Sequence, residues 1–269
     1  MKTAVILGSK PGARLPPGGT AYFANAAIGS YGDAIERFES VVNVVSAVVL
    51  RKCRDSEKQA HAELYAAKGE IIRAARPDRL VLVESSDHPG LGSELSGWLR
   101  DSGYASPIEC LSPADRIAAQ TRFSGLAHPL VTRALFDQPF AVVLRDALHV
   151  VQHRLRLAGG EAMGKYRPST GIVALLLAIA EHGAQAEYML VGIGLSQRHL
   201  HHFQGSILSG KVARRAVLEP HVAADAAILR ALARRYVLRA DDPELAAALA
   251  GARSAGGARG ASAAPETAR

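Results

Sequence analysis

The stretch Ala4-Val5-Ile6-Leu7-Gly8-Ser9-Lys10-Pro11-Gly12 decides the reading of this chain. Four consecutive apolar residues are too few for a helix and show no alternation, which is the pattern of a strand covered on both faces. The turn formers that follow end it sharply. A first strand running into a Gly-rich turn is the opening unit of an open α/β sheet, in which ligands sit beyond the carboxyl ends of the strands. Backbone N–H groups in such a turn can approach a phosphate. The segment lacks GxGxxG spacing, so by itself it favours a nucleotide only weakly over a plain tight turn.

Working outward, residues 20–25, 41–45, 79–83, 107–110 and 188–193 read as further strands. Helical spacing fills 33–38, 57–75, 94–102, 113–120, 139–157 and 172–182. Pro220-His221 is expected to open a helix that runs to Leu238, and Asp242-Pro243-Glu244 to cap a last helix that Gly251 ends. Strands separated by helices imply parallel crossovers. The expectation is an α/β fold: a single Rossmann-like domain over residues 1–252, with a mainly parallel sheet flanked by helices. Residues 253–269 are Ala/Gly/Ser-rich and read as a disordered tail.

Composition removes several classes. The chain has 269 residues, enough for one core of ordinary size. Its two cysteines, Cys53 and Cys110, make neither a disulfide scaffold nor a four-cysteine zinc site. No apolar run approaches the ~20 residues of a spanning helix. Residues 4–7 are too short for the core of a signal peptide, so a cytoplasmic protein is expected. The net charge of +7 calls for an anionic partner, while 5% aromatic residues argue against a stacking platform for nucleic acid. The excess is concentrated: residues 198–239 hold eight basic and two acidic side chains together with His199, His201, His202 and His221. A phosphate pocket is one use for that segment. Peripheral contact with an anionic membrane, at the inner face of the plasma membrane, is another.

Four patches bear on chemistry. The run from Gly205 to Val212 nearly matches a Walker A loop, but Val212 stands where a hydroxyl must hold magnesium. Ser169-Thr170-Gly171 opens an apolar helix, and a helix start with hydroxyls is equipped for an anion, though a simple cap needs no ligand. His199, His201 and His202 have no carboxylate or cysteine nearby to complete a zinc site, so no metal is expected. His221, with Asp225 four residues on, is expected at a helix start, where imidazolium is disfavoured and the neutral ring accepts a proton.

These pieces occur in an order that resembles the compact bacterial sialyltransferases and, more distantly, the animal sialyltransferases. Gly8-Ser9-Lys10-Pro11-Gly12 is similar to that family's Gly-Asn-Gly-Pro-Ser loop. Tyr22-Phe23-Ala24-Asn25 is similar to its second strand, which ends in an asparagine facing the donor nucleotide. Arg167-Pro168-Ser169-Thr170-Gly171, with the helix and strand that follow, resembles the segment that holds cytidine monophosphate (CMP). Pro220 to Asp225 resembles the segment bearing the catalytic histidine. Three positions depart: Ser9 replaces an asparagine, Gly12 a serine, and Gly194 an aspartate. No tyrosine follows the late strand, where Arg198, His199 and His202 are the available substitutes.

The resemblance implies a variant of the GT-A-like fold and a metal-independent, inverting glycosyltransferase. It would move sialic acid, Kdo or another nonulosonate from a CMP-activated donor to a glycan or glycolipid hydroxyl, with no cofactor. It assigns proton abstraction to His221, its orientation to Asp225, and stabilisation of the leaving phosphate to Arg198, His199 and His202. Gly8, Ser9, Lys10, Pro11, Gly12, Asn25, Arg167, Ser169, Thr170, Gly171 and Gly192 would bind the donor. The alternative reading is an inactive Rossmann-like nucleotide-binding protein with a regulatory or scaffold role.

Overall fold

The structure is a computed structural model that describes residues 2–8, 15–16, 18–155, 161–194 and 215–260. Among the described residues there are seven strands: β1 (Thr3–Leu7), β2 (Thr20–Ala24), β3 (Ser40–Ser46), β4 (Arg79–Val83), β5 (Ile108–Leu111), β6 (Glu187–Val191) and β7 (Val237–Ala240). They form one sheet in the order β5-β4-β3-β2-β1-β6-β7, and every pairing is parallel. The expected α/β architecture is therefore present, as a seven-strand parallel sheet flanked by helices and consistent with a Rossmann-like fold.

The helices are α1 (Ala47–Arg54), α2 (Ala62–Ala74), α3 (Leu91–Asp101), α4 (Pro113–Ser124), α5 (Arg133–Phe136), α6 (Phe140–Arg154), α7 (Thr170–His182), α8 (Arg215–Ala233) and α9 (Pro243–Gly260). Short 3-10 segments occupy Asn25–Ser30, Gly32–Arg37 and Glu161–Tyr166. Alternation along the strands splits the core between the two faces. Ile6, Tyr22, Val44 and Val81 pack with α7, α8 and α9 on one side. Leu80, Leu82 and Val45 pack with α1, α2 and α3 on the other, and Val5, Leu7 and Phe23 with the 3-10 segments. Each fully buried Val, Leu or Ile contributes about 1.5–3 kcal/mol. Helix α7 lies against β1, β2 and β3, which explains why Ile172 to Leu176 are all buried.

Three boundaries late in the chain differ most from expectation; earlier, α1 and α5 lie where no helix was expected, and the helix expected from residue 57 starts at Ala62. The helix expected to reach Leu238 stops at Ala233, and Val237–Ala240 pairs with β6 as the edge strand β7. Pro220 lies inside α8 and does not open it. Helix α9 passes Gly251, whose cost of about 1 kcal/mol an alanine-rich run absorbs, and continues through Gly256 and Gly257 to Gly260; the tail expected from residue 253 is helical that far.

Strand order places the site. β1 runs between β2, which follows it, and β6, which returns much later in the chain. The connections leave in opposite directions there, opening a crevice at the carboxyl ends of β1 and β6. Gly8 closes the end of β1, its N–H donating to the Val191 carbonyl at 2.8 Å. A Cβ on Gly8 would stand 2.3 Å from the Gly192 carbonyl oxygen. Only glycine lets the two strand ends come this close.

Candidate functional site

A cavity of about 360 Å³ fills that crevice. Its walls include Gly8, Asn25, Arg167, Ser169, Thr170, Gly171, Gly192, His221 and Asp225, all anticipated from the sequence, and also Gly194. Residues separated by more than 200 positions thus meet at one place. Ser9, Lys10, Pro11, Gly12, Arg198, His199 and His202, as well as the near-Walker run, lie outside the described residues.

The floor is built from strand ends. Tyr31 donates its hydroxyl to the Gly8 carbonyl at 2.7 Å. The Gly192 N–H donates to both carboxylate oxygens of Asp241, at 3.1 and 3.2 Å, so the end of β7 holds the turn after β6. Asp242 caps α9 as expected, accepting the Leu245 N–H at 2.9 Å. Asn25 follows β2 with a φ of 55°, a left-handed conformation that asparagine tolerates. Its Oδ1 accepts the Ser46 N–H at 3.0 Å and ties the ends of β2 and β3 together.

One wall is the start of α7. Ser169 precedes the helix, and the N–H groups of its first turn have no partner within the helix. Asp225 accepts the Ser169 backbone N–H at 2.8 Å. Burial pushes the Asp225 carboxyl up to about 7, against the opposing pull of Ser169. Asp225 therefore locks α8 to the start of α7. It was expected to orient His221, but its hydrogen bonds go to Ser169.

His221 is held by a different group. Its Nδ1 lies 2.9 Å from the Arg167 carbonyl oxygen. A carbonyl only accepts, so Nδ1 carries the proton and Nε2 of the neutral ring keeps its lone pair. Burial, followed by the nearby Arg167 charge, holds the His221 ring down to about 4. The ring is neutral as expected, for another reason: it sits six residues into α8, away from the helix end.

Sequence reasoning missed Arg116, Lys68 and Ser46, which also line the cavity. Arg116, on α4, is 2% exposed, and its Nε and Nη1 have no hydrogen-bond partner. Burial, with the Arg167 guanidinium close by, lowers it to about 10, while Asp87 pulls the other way. Arg167 bonds Ser85 Oγ at 3.3 Å and is likewise lowered, mainly by burial. Burial also lowers Lys68. Three cationic side chains and an open helix start thus face one cavity, and this collects negative charge. The signal in the sequence was thin: Arg116, Gln120 and Ser124 form a polar stripe at helical spacing, which ordinarily faces water, but all three are buried here.

The described residues contain no group of three His, Cys, Asp or Glu side chains placed to hold a metal ion. None of their helices is long and apolar enough to cross a membrane. Comparison with protein-family models, curated proteins and solved structures finds no match for this chain.

Proposed function

We propose that this chain is a metal-independent, inverting glycosyltransferase of sialyltransferase type, transferring sialic acid, Kdo or a related nonulosonate from its CMP-activated form to a glycan or glycolipid hydroxyl. One observation carries the reading. An imidazole with its Nδ1 pinned to a backbone carbonyl turns a free Nε2 toward a crevice lined by unpaired arginine nitrogens. That is a base beside an anion site, at the ligand-binding end of a parallel sheet.

In this reading Nε2 of His221 takes the proton of the acceptor hydroxyl. The acceptor oxygen bonds to the anomeric carbon from one side while the bond to the phosphate oxygen breaks on the other, which inverts the centre. The departing electron pair stays on CMP. Arg167 and the N–H groups of Thr170 and Gly171 face that phosphate, and such preorganised donors lower the barrier as charge develops. Arg116 is suited to the second anion of the donor, the sugar carboxylate, by paired hydrogen bonds. Because these cations carry the leaving-group charge, the mechanism requires no metal. A bound anion also offsets the Arg167 charge, which raises the affinity of His221 for a proton to a level useful in catalysis.

The same crevice serves a binding protein that catalyses nothing, but an oriented imidazole has no purpose there. The separating experiment measures transfer and CMP binding together. His221→Ala is expected to lower the rate by about 10²–10⁴-fold while CMP still raises the melting temperature, with or without chelator. Unchanged turnover in that variant, or stabilisation by uridine or guanosine diphosphates in preference to CMP, overturns the proposal.

A further inference from the structure

Helix α6 exposes an unusual face. Phe140, Leu144, Leu148 and Val151 on the helix, and Leu155 just past it, are 80, 52, 56, 54 and 62% exposed. Their spacing of four, four, three and four places them in one stripe along the helix, about 22 Å long at 1.5 Å per residue. Phe136 on α5, 66% exposed, prolongs it. So continuous an apolar strip on a water-facing helix is costly unless something covers it.

The charges beside the strip select what covers it. Arg145 and Arg154 are exposed on opposite sides of the stripe, and Arg133 is exposed near its beginning. The acidic residue within the helix, Asp146, is buried, where it pairs with Lys165 at 3.3 Å, accepts the Tyr166 hydroxyl at 2.9 Å and also holds Arg145 at 3.0 Å, so two cations share its one charge and the face stays positive. Asp137 is the exposed acid between Arg133 and Arg154. A second copy packed on this face would set arginine against arginine. A bilayer surface with anionic headgroups neutralises them while the apolar residues enter the acyl boundary.

We infer that α6 is a docking helix that lies flat on an anionic lipid surface. The site is directly coupled to it. Asp146 holds Lys165 and Tyr166, and the next residue is Arg167, whose side chain lines the cavity and whose carbonyl orients His221. Docking brings the crevice to the membrane, where an acceptor attached to lipid is found. The surface is distinct from the basic segment 198–239, and the inference stands whether or not the crevice catalyses transfer.

Vesicle flotation of the full chain tests it, with phosphatidylcholine alone and with about 30 mol % phosphatidylglycerol. The wild-type protein is expected to float with the mixed vesicles. Arg154→Glu, which disturbs no ion pair among the described residues, should weaken binding at least fivefold, from about 1 kcal/mol for each basic residue at such a surface. The double variant Leu144→Glu, Leu148→Glu should abolish flotation while its far-UV circular dichroism and melting temperature stay at wild-type values. A charge-only variant and a fold-neutral one keep the outcome interpretable should one of them express poorly. Equal binding to both vesicle types, flotation of the double variant, or a dimer in light scattering that the double variant disrupts while wild type ignores the vesicles, each overturns the inference.

Discussion

Replacing Arg116 with methionine keeps a long side chain in place and removes a cation that the ligand-free protein holds with little compensation. Arg116 is 2% exposed, two of its guanidinium nitrogens are unpaired, and Arg167 stands nearby. Its fall from the ordinary arginine range to about 10 corresponds to roughly 3 kcal/mol, at about 1.4 kcal/mol per tenfold change in acidity. A base with a depressed pKa carries this cost in full at neutral pH and loses it only above about pH 10. Methionine is therefore expected to stabilise the free protein by about 1–3 kcal/mol, since buried charges replaced by apolar groups of similar size often gain this much. For a chain of 269 residues, at about 2.1 cal/mol/K of unfolding entropy per residue, that is an upward melting shift of about 2–5 °C. Asp87 keeps Arg167 as its counter-charge in the variant. Ligand binding moves the opposite way: losing a charge-assisted contact of about 1.5–3 kcal/mol weakens an anionic ligand about 10–150-fold. Differential scanning fluorimetry with and without CMP-sialic acid reads both changes. A variant that melts lower than wild type and binds the donor equally well refutes the assignment of Arg116 to an anion.

Three further outcomes are expected. The His221 ring should titrate near pH 4 in the free protein and higher with CMP bound, followed by nuclear magnetic resonance of the imidazole; because the unfolded ring protonates near 6.5, His221 stability is lost as pH falls from about 6.5 toward 4, and an unchanged titration with CMP sinks the charge-coupling argument. Asp225→Asn keeps an oxygen for the Ser169 N–H and removes a carboxyl raised to about 7, so it should gain about 1–2 kcal/mol over wild type at pH 8 and nothing at pH 4; equal chemical-denaturation curves at both pH values contradict the burial of its charge. Gly8→Ala drives a Cβ against the Gly192 carbonyl and should cost at least about 2 kcal/mol in urea unfolding, with loss of CMP binding, and wild-type behaviour would show that the strand ends can separate freely.

Much of the sheet was legible because each strand is a short apolar run between turn formers, and residues 4–7, 41–45 and 79–83 fall within strands as expected. Strand β7 was not: Val237 and Leu238 continue the apolar spacing of Ile228, Leu229 and Leu232, and nothing local reveals that the helix ends at Ala233. Tertiary pairing with β6 makes the difference. The site divides along the same line. Glycines and hydroxyls at strand ends and helix starts leave local marks, so Gly8, Asn25 and residues 169–171 were found. Arg116 left none, since a lone arginine on a helix reads as solvent-facing until the fold shows which side of α4 is covered. The partner of His221 was equally hidden, because a bond to the Arg167 carbonyl depends on how α8 crosses the start of α7.

The place of β1 in the sheet also sets the order in which the molecule is made. Thr3 pairs with Glu187 and Leu7 with Val191, so every partner on that side is translated 184 positions later. At about 5–20 residues per second, the ribosome takes about 10–40 s to deliver them. Until then β1 and β2 present a growing five-strand sheet with one bare edge, made of Val5, Ile6 and Leu7, which the finished protein buries completely. An open edge of this kind invites pairing with other nascent chains. Yield in the cell should therefore depend on chaperone supply and on the speed of translation through the α6–α7 region, even for variants whose finished fold is fully stable.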